Sequence, residues 1–154
     1  LPRDSLTRGD GALASLVSHG VELSVQPAHL LDDWEAVGRV WPGLEERAYA
    51  FADMVAAGAL LHLGSDAPVA PLDPWLAMSA AVGRRTPGDV WSPSQRLSVE
   101  EALAASTDGA GPVAVGSRAD LALLAADPLM MSAEDLGRVM PLATIVAGAL
   151  AHAG

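Results

Sequence analysis

The sequence predicts an α/β fold, with a block of alternating strands and helices followed by a small strand-rich tail. Two short runs carry strand patterning, Val21 to Val25 and Ala59 to Leu63, and each is followed by residues that open a helix. Two further apolar runs, Ala119 to Leu124 and Leu142 to Val146, come late in the chain. The 154 residues are 51% hydrophobic and 18% charged, enough for one ordinary globular core and too little for two.

Each element has its own local reason. Leucine and valine at 13, 16 and 17 space a helix from Gly9 to His19, and Gly20 stands where a C-terminal cap glycine belongs. Val21-Glu22-Leu23-Ser24-Val25 alternates apolar and polar residues and stops at Gln26-Pro27, because proline cannot continue a ladder. Asp32 or Asp33 is expected to cap a helix carrying Trp34, Val37 and Val40. Pro42-Gly43 interrupts it, and a second helical stretch through Phe51, Met54 and Val55 closes at Gly58. The continuous apolar run Ala59 to Leu63 is the kind found in buried parallel sheets, and it leads into Gly64-Ser65-Asp66-Ala67-Pro68.

Asp73-Pro74 supplies an N-cap and a first-turn proline for a helix with Trp75, Leu76, Met78 and Val82. Arg84 to Pro93 reads as loop, with Arg84 and Arg85 at a solvated helix end. Ser98-x-x-Glu101 is a capping box that opens a helix from Val99 to Ser106. The glycine-rich stretch 108–117 is the best internal boundary, dividing the chain into 1–111 and 112–154. A short acidic helix beginning near Ser132 lies between the two late strands. Trp34, Trp41, Trp75 and Trp91 are most simply packing anchors.

Composition removes several function classes. The net charge is −10, so nucleic acid and anionic membranes, which need a basic face, are not expected partners. All nine basic residues are arginines, which excludes lysine chemistry within the chain. Without cysteine there is neither a disulfide nor a thiolate metal site, and any metal would need His, Asp and Glu. The longest apolar stretches, Met54 to Leu63 and Leu142 to Ala151, fall short of the roughly 18 residues of a spanning helix. The chain opens Leu-Pro-Arg-Asp with no initiator methionine or signal-type segment, so it reads as a processed or excised piece, and a cytoplasmic location is expected.

No Gly-x-Ser-x-Gly elbow, Gly-x-Gly-x-x-Gly loop or Walker loop is present, and none of the four histidines has a paired metal-ligand spacing. What remains is a pair of strand ends, Gln26-Pro27-Ala28-His29 and Gly64-Ser65-Asp66-Ala67-Pro68. On its own an aspartate before Ala-Pro most commonly caps a turn. His29 is read either as a substrate contact or as a loop histidine without a role, and Gln26 either orients a substrate or satisfies backbone groups. Ser65 supports the turn. By strand alternation His62 shares a face with Asp66, and it is read as a hydrogen-bonded core histidine.

Four runs taken in order, Ser24-Val25-Gln26-Pro27-Ala28-His29, Leu63-Gly64-Ser65-Asp66-Ala67-Pro68-Val69, Arg96-Leu97-Ser98-Val99-Glu100-Glu101-Ala102-Leu103 and Gly116-Ser117-Arg118-Ala119-Asp120-Leu121, resemble the C-terminal part of amidohydrolase family 3. These are metal-dependent amidohydrolases of the YtcJ-like and N-substituted formamide deformylase type. The resemblance implies a partial (β/α)8 barrel, with Val21 to Val25 as strand seven and Ala59 to Leu63 as strand eight, followed by strands of a small β-sandwich. It implies that Asp66 binds a divalent metal, expected to be Zn2+, and accepts the proton of the attacking water, while His29 and Gln26 contact a small amide-type substrate.

The family's His-x-His pair and its other metal ligands have no counterpart in the 154 residues, and a complete barrel takes about 250. The expectation is therefore a fragment of an enzyme that hydrolyses a non-peptide C–N bond, inactive without the missing N-terminal barrel portion, with that portion or a homo-oligomer as its expected protein partner. A non-catalytic small α/β ligand-binding or relic domain is the alternative.

Overall fold

The computed structural model describes residues 9–110 and 113–154, so the expected boundary between 111 and 112 lies outside the described residues. The first half is a parallel strand–helix–strand unit. Helix α1 (Gly9–Ser18) ends at Gly20, whose φ of +68° lets the amides of Gly20 and Val21 turn back onto the carbonyls of Val17 and Leu16. Strand β1 (Leu23–Val25) leads through a 3-10 turn (Pro27–His29) directly into α2 (Leu30–Val40). A loop then reaches α3 (Phe51–Ala56), which closes at Gly58 by the same left-handed device before β2 (Leu61–Leu63).

β1 and β2 pair in parallel, Leu23 with Leu61, Ser24 with His62 and Val25 with Leu63. Two further backbone bonds, from Leu23 to the Leu60 carbonyl and from Gly64 to the Val25 carbonyl, extend the ladder at its ends. Both strands are shorter than the apolar runs that announced them, because only these residues find a ladder partner. Alternation gives the pair two different faces. Leu23, Val25, Leu61 and Leu63 lie against the helices, whereas Ser24 and His62 belong to the opposite face.

Helix α4 (Pro74–Gly83) begins as expected: the Asp73 carboxylate accepts hydrogen bonds from the amides of Trp75 and Leu76 at 2.9 and 3.2 Å. Helix α5 (Val99–Ser106) has a complete capping box, in which Ser98 Oγ accepts from the Glu101 amide and Glu101 accepts from the Ser98 amide. The tail consists of β3 (Leu121–Leu123), α6 (Ala133–Leu136) capped by Ser132, β4 (Ala143–Val146) and β5 (Ala149–Ala153). Its strands form one antiparallel sheet in the order β3-β4-β5. β5 went unread in the sequence, yet Ala147 and Gly148, with φ of +50° and +81°, are a two-residue hairpin turn whose Gly signals it.

The core is continuous across both portions. Leu30, Phe51, Leu61, Met78, Leu97 and Ala102 are buried together with Leu136 of α6. Helices α4 and α6 approach so closely that a Cβ on Gly83 would stand 2.9 Å from Ala133 Cβ, and one on Gly137 would stand 3.0 Å from Ser79 Oγ. No helix among the described residues is long and apolar enough to cross a membrane.

Three expectations need correction. Asp32 and Asp33 do not cap α2: the 3-10 turn runs straight into the helix, so its first residue is Leu30 and both aspartates lie in the first turn, facing the positive end of the helix dipole. Asp33 instead accepts the Tyr49 hydroxyl, and burial, followed by that contact, pushes the Tyr49 phenol well above its ordinary value. Trp41 is no anchor, being 48% exposed at the end of α2, whereas Trp75 and Trp91 do pack on the core.

Arg84 is the third. It is fully buried rather than solvated, with φ of +49° and its guanidinium between the rings of Phe51 and Trp91. That turn of the backbone points the side chain inward, where it donates to the carbonyls of Trp91 and Tyr49, each at 2.9 Å. Burial pushes its pKa down to about 10, leaving it charged at neutral pH.

Candidate active site

The candidate site forms where the chain leaves the two parallel strands. Beyond β2 the backbone turns at Gly64-Ser65-Asp66, with Asp66 in the left-handed region at φ of +56°. Aspartate tolerates that region better than most residues, and departures of this kind gather at functional turns. Ser65 supports the turn as expected, its hydroxyl accepting from the Ala67 amide at 3.2 Å. The Asp66 backbone carbonyl accepts from Val69 at 2.8 Å. Its carboxylate, 59% exposed, caps neither this turn nor the next helix, whose cap is Asp73. The bland role for Asp66 is thus filled by its neighbours.

Beyond β1, the 3-10 turn carries His29 to the same end of the strand pair. His29 Nε2 lies 3.9 Å from Asp66 Oδ2, too long for a hydrogen bond and within reach of one small shift or one shared ligand. The same Nε2 is buried and has no hydrogen-bond partner. A buried polar nitrogen without a partner is costly, so it marks a position that another group would occupy favourably. The structure therefore brings His29 and Asp66 together. Gln26 points back along β1, its Nε2 3.5 Å from Ser24 Oγ, and a Cβ on Gly64 would stand 3.8 Å from that nitrogen.

Strand alternation does not link His62 to Asp66. β2 ends at Leu63, and the alternation has no force in the left-handed turn that follows. Nor is it a core residue: its side chain is 27% exposed and is held between Glu22 and Asp108, by Nε2 at 2.9 Å and Nδ1 at 3.2 Å. The hydrogen-bonded state was foreseen and these partners were not, since they lie 40 and 46 positions away in the chain.

Imidazole nitrogen and carboxylate oxygen are both donors that a divalent ion of the zinc type accepts. Among the described residues no three His, Asp or Glu side chains converge in a way that would hold an ion by themselves. His29 and Asp66 therefore suit part of a ligand set, and a stable site takes three or four donors.

The model of an amidohydrolase family matches residues 7–152. The protein LONG AFTER FAR-RED 3 of Arabidopsis thaliana is 36% identical over 140 residues, covering 81% of this chain and 24% of that protein. N-substituted formamide deformylase of Arthrobacter pascens is 29% identical over 147 residues, covering 86% of this chain and 27% of its own length. Among solved structures, an uncharacterized metal-dependent hydrolase from Pyrococcus horikoshii OT3 superposes with a TM-score of 0.60 at 30% identity, over 87% of this chain and 29% of that one. The chain spans about a quarter of the length of these curated relatives.

Proposed function

The chain belongs to the amidohydrolase family, and on that footing we propose that the ends of β1 and β2 form one wall of the active site of a metal-dependent hydrolase acting on a non-peptide C–N bond. The observation that carries this reading is the His29–Asp66 pair, a partnerless buried imidazole nitrogen 3.9 Å from an uncapped carboxylate. Both groups stand beyond the C-terminal ends of parallel strands, where the loops of a (β/α)8 barrel carry its catalytic groups. The two strands would be the last two staves of such a barrel. The other walls would come from the length of chain that the relatives have and these 154 residues do not cover.

Asp66 would hold a divalent ion, zinc in this proposal, and the ion when bound would make water nucleophilic at neutral pH. The Asp66 carboxylate serves the two proton movements of hydrolysis: one of its oxygens takes the proton released by the attacking water, and the same group returns it to the departing nitrogen. His29 Nε2 is placed to donate to a substrate oxygen, which would satisfy the nitrogen that is otherwise orphaned. Gln26, next to Gly64, offers an amide to orient the substrate from the strand side. The substrate class is a small amide, by analogy with a relative named for deformylating N-substituted formamides.

The test extends the reading frame upstream and assays hydrolysis of N-substituted formamides and other small amides, with and without chelator, alongside metal analysis. Chelator-sensitive hydrolysis is expected, with Asp66→Asn abolishing it and weakening metal binding while the circular dichroism spectrum stays unchanged. The 154-residue chain alone is expected to hold less than one equivalent of zinc. Full turnover by Asp66→Asn would remove Asp66 from the mechanism, and ligand binding indifferent to chelator would favour a non-catalytic binding module.

A further inference from the structure

We propose that Glu22, His62 and Asp108 form a pH-sensitive latch that fastens the segment leaving α5 to the start of the parallel strand pair. The three residues come from three separate places. Glu22 immediately precedes β1, His62 is the middle residue of β2, and Asp108 follows the end of α5. His62 Nε2 stands 2.9 Å from Glu22 Oε2, and Nδ1 stands 3.2 Å from Asp108 Oδ1.

The chemistry of the partners fixes the charge of the ring. An ionised carboxylate only accepts hydrogen bonds, so both ring nitrogens must donate. Neutral imidazole has one N–H; only imidazolium has two. The closed arrangement therefore requires a proton that the free side chain gives up near neutrality. When that proton leaves, one arm loses its hydrogen bond and the attraction that held it.

The surroundings leave this pair of carboxylates in charge of the titration. β1 and α4, which pack beside β2, carry no titratable side chain. α5 carries Glu100 and Glu101 in its first turn, at the end opposite Asp108, and Glu101 is engaged with Ser98. The hydrogen bond from Asp108 is the largest influence raising the His62 pKa above the ordinary 6.5; desolvation, next in size, opposes it, and the hydrogen bond and charge of Glu22 add to the rise. A histidine whose folded pKa is raised contributes stability that is fully present below its unfolded value and is lost as pH rises through the folded one. The latch is closed below the raised midpoint, as long as the two carboxylates stay ionised, and opens as pH rises through it.

Its position gives the opening a consequence. Asp108 begins the glycine-rich stretch through which the chain passes to the tail, and the amides that follow are only locally bonded, Gly109 to the Ala104 carbonyl and Ala110 to that of Thr107. Loss of the longer arm, from Nδ1 to Asp108, loosens Gly109 and Ala110 without touching the His29–Asp66 pair.

The experiment is an NMR titration of the His62 ring nitrogens in the 154-residue chain, assigned by comparison with His62→Gln, together with hydrogen-exchange protection factors for Gly109 and Ala110. The expected result is a midpoint above 6.5 that moves down in Asp108→Asn and in Glu22→Gln. Protection of the two amides is expected to fall as pH passes that midpoint in the wild type and to be low and pH-independent in Asp108→Asn. The two carboxylate variants alter exposed side chains, 91% and 61% accessible, so they keep the test decisive should His62→Gln fail to fold. A midpoint at or below 6.5 overturns the latch, and so does protection that ignores the titration.

Discussion

Arg84 carries its charge inside the protein with no ion pair among the described residues, and its fit depends on planar geometry. Its Nε and Nη atoms meet backbone carbonyls from two loops, and Phe51 and Trp91 cover its faces. Arg84→Met keeps the volume and leaves the carbonyls of Tyr49 and Trp91 short of a donor. Each such loss costs about 1–3 kcal/mol, so a destabilisation of about 3 kcal/mol is expected in urea unfolding. Arg84→Lys recovers little of it, because an ammonium cannot span both carbonyls in the same fork. A loss below about 0.5 kcal/mol for Arg84→Met, the scale of an ordinary surface change, would mean that the cation does not organise these loops.

The joint between α4 and α6 works at the scale of elements. Ser79 and Gly83 on one helix face Ala133 and Gly137 on the other, and the backbones come together because these side chains are small. Gly83→Ala would gain about 1 kcal/mol of helix propensity, yet it places a methyl 2.9 Å from Ala133 Cβ. Overpacking of this kind costs about 1–3 kcal/mol, so a net fall in Tm is expected. The double variant Gly83→Ala, Ala133→Gly should recover most of the loss, which a propensity effect would not do. The helix ends themselves were legible in advance: Asp73, Ser98, Ser132, Gly20 and Gly58 act on amides and carbonyls only a few positions away.

At the scale of the molecule, the tail is tied to the α/β unit by a common core. Leu136, from the short helix between β3 and β4, is fully buried among residues of the α/β unit, from Leu30 to Ala105. Leu136→Ala is expected to cost about 2–5 kcal/mol and to lower the unfolding midpoint of both portions together. Tryptophan fluorescence, which comes from positions 34, 41, 75 and 91, would follow the α/β unit and the far-ultraviolet signal the whole; two separate transitions in the variant would show that the portions fold independently.

The sequence by itself determined whatever depends on near neighbours. It specified the starts of α4, α5 and α6 and the glycine closures of α1 and α3, where the two parallel strands end, that Asp66 and His29 stand just past those ends, and, through four short runs, the family. Capping and turn formation involve contacts across three to five residues, which a linear reading can see. Tertiary structure alone decided which distant groups meet: His62 with Glu22 and Asp108 across 40 and 46 positions, Arg84 with the Tyr49 carbonyl across 35, and the closing of His29 on Asp66. Those encounters depend on the register of one strand against another and on how closely two helices approach, and both are properties of the packed core, which no local stretch of sequence contains.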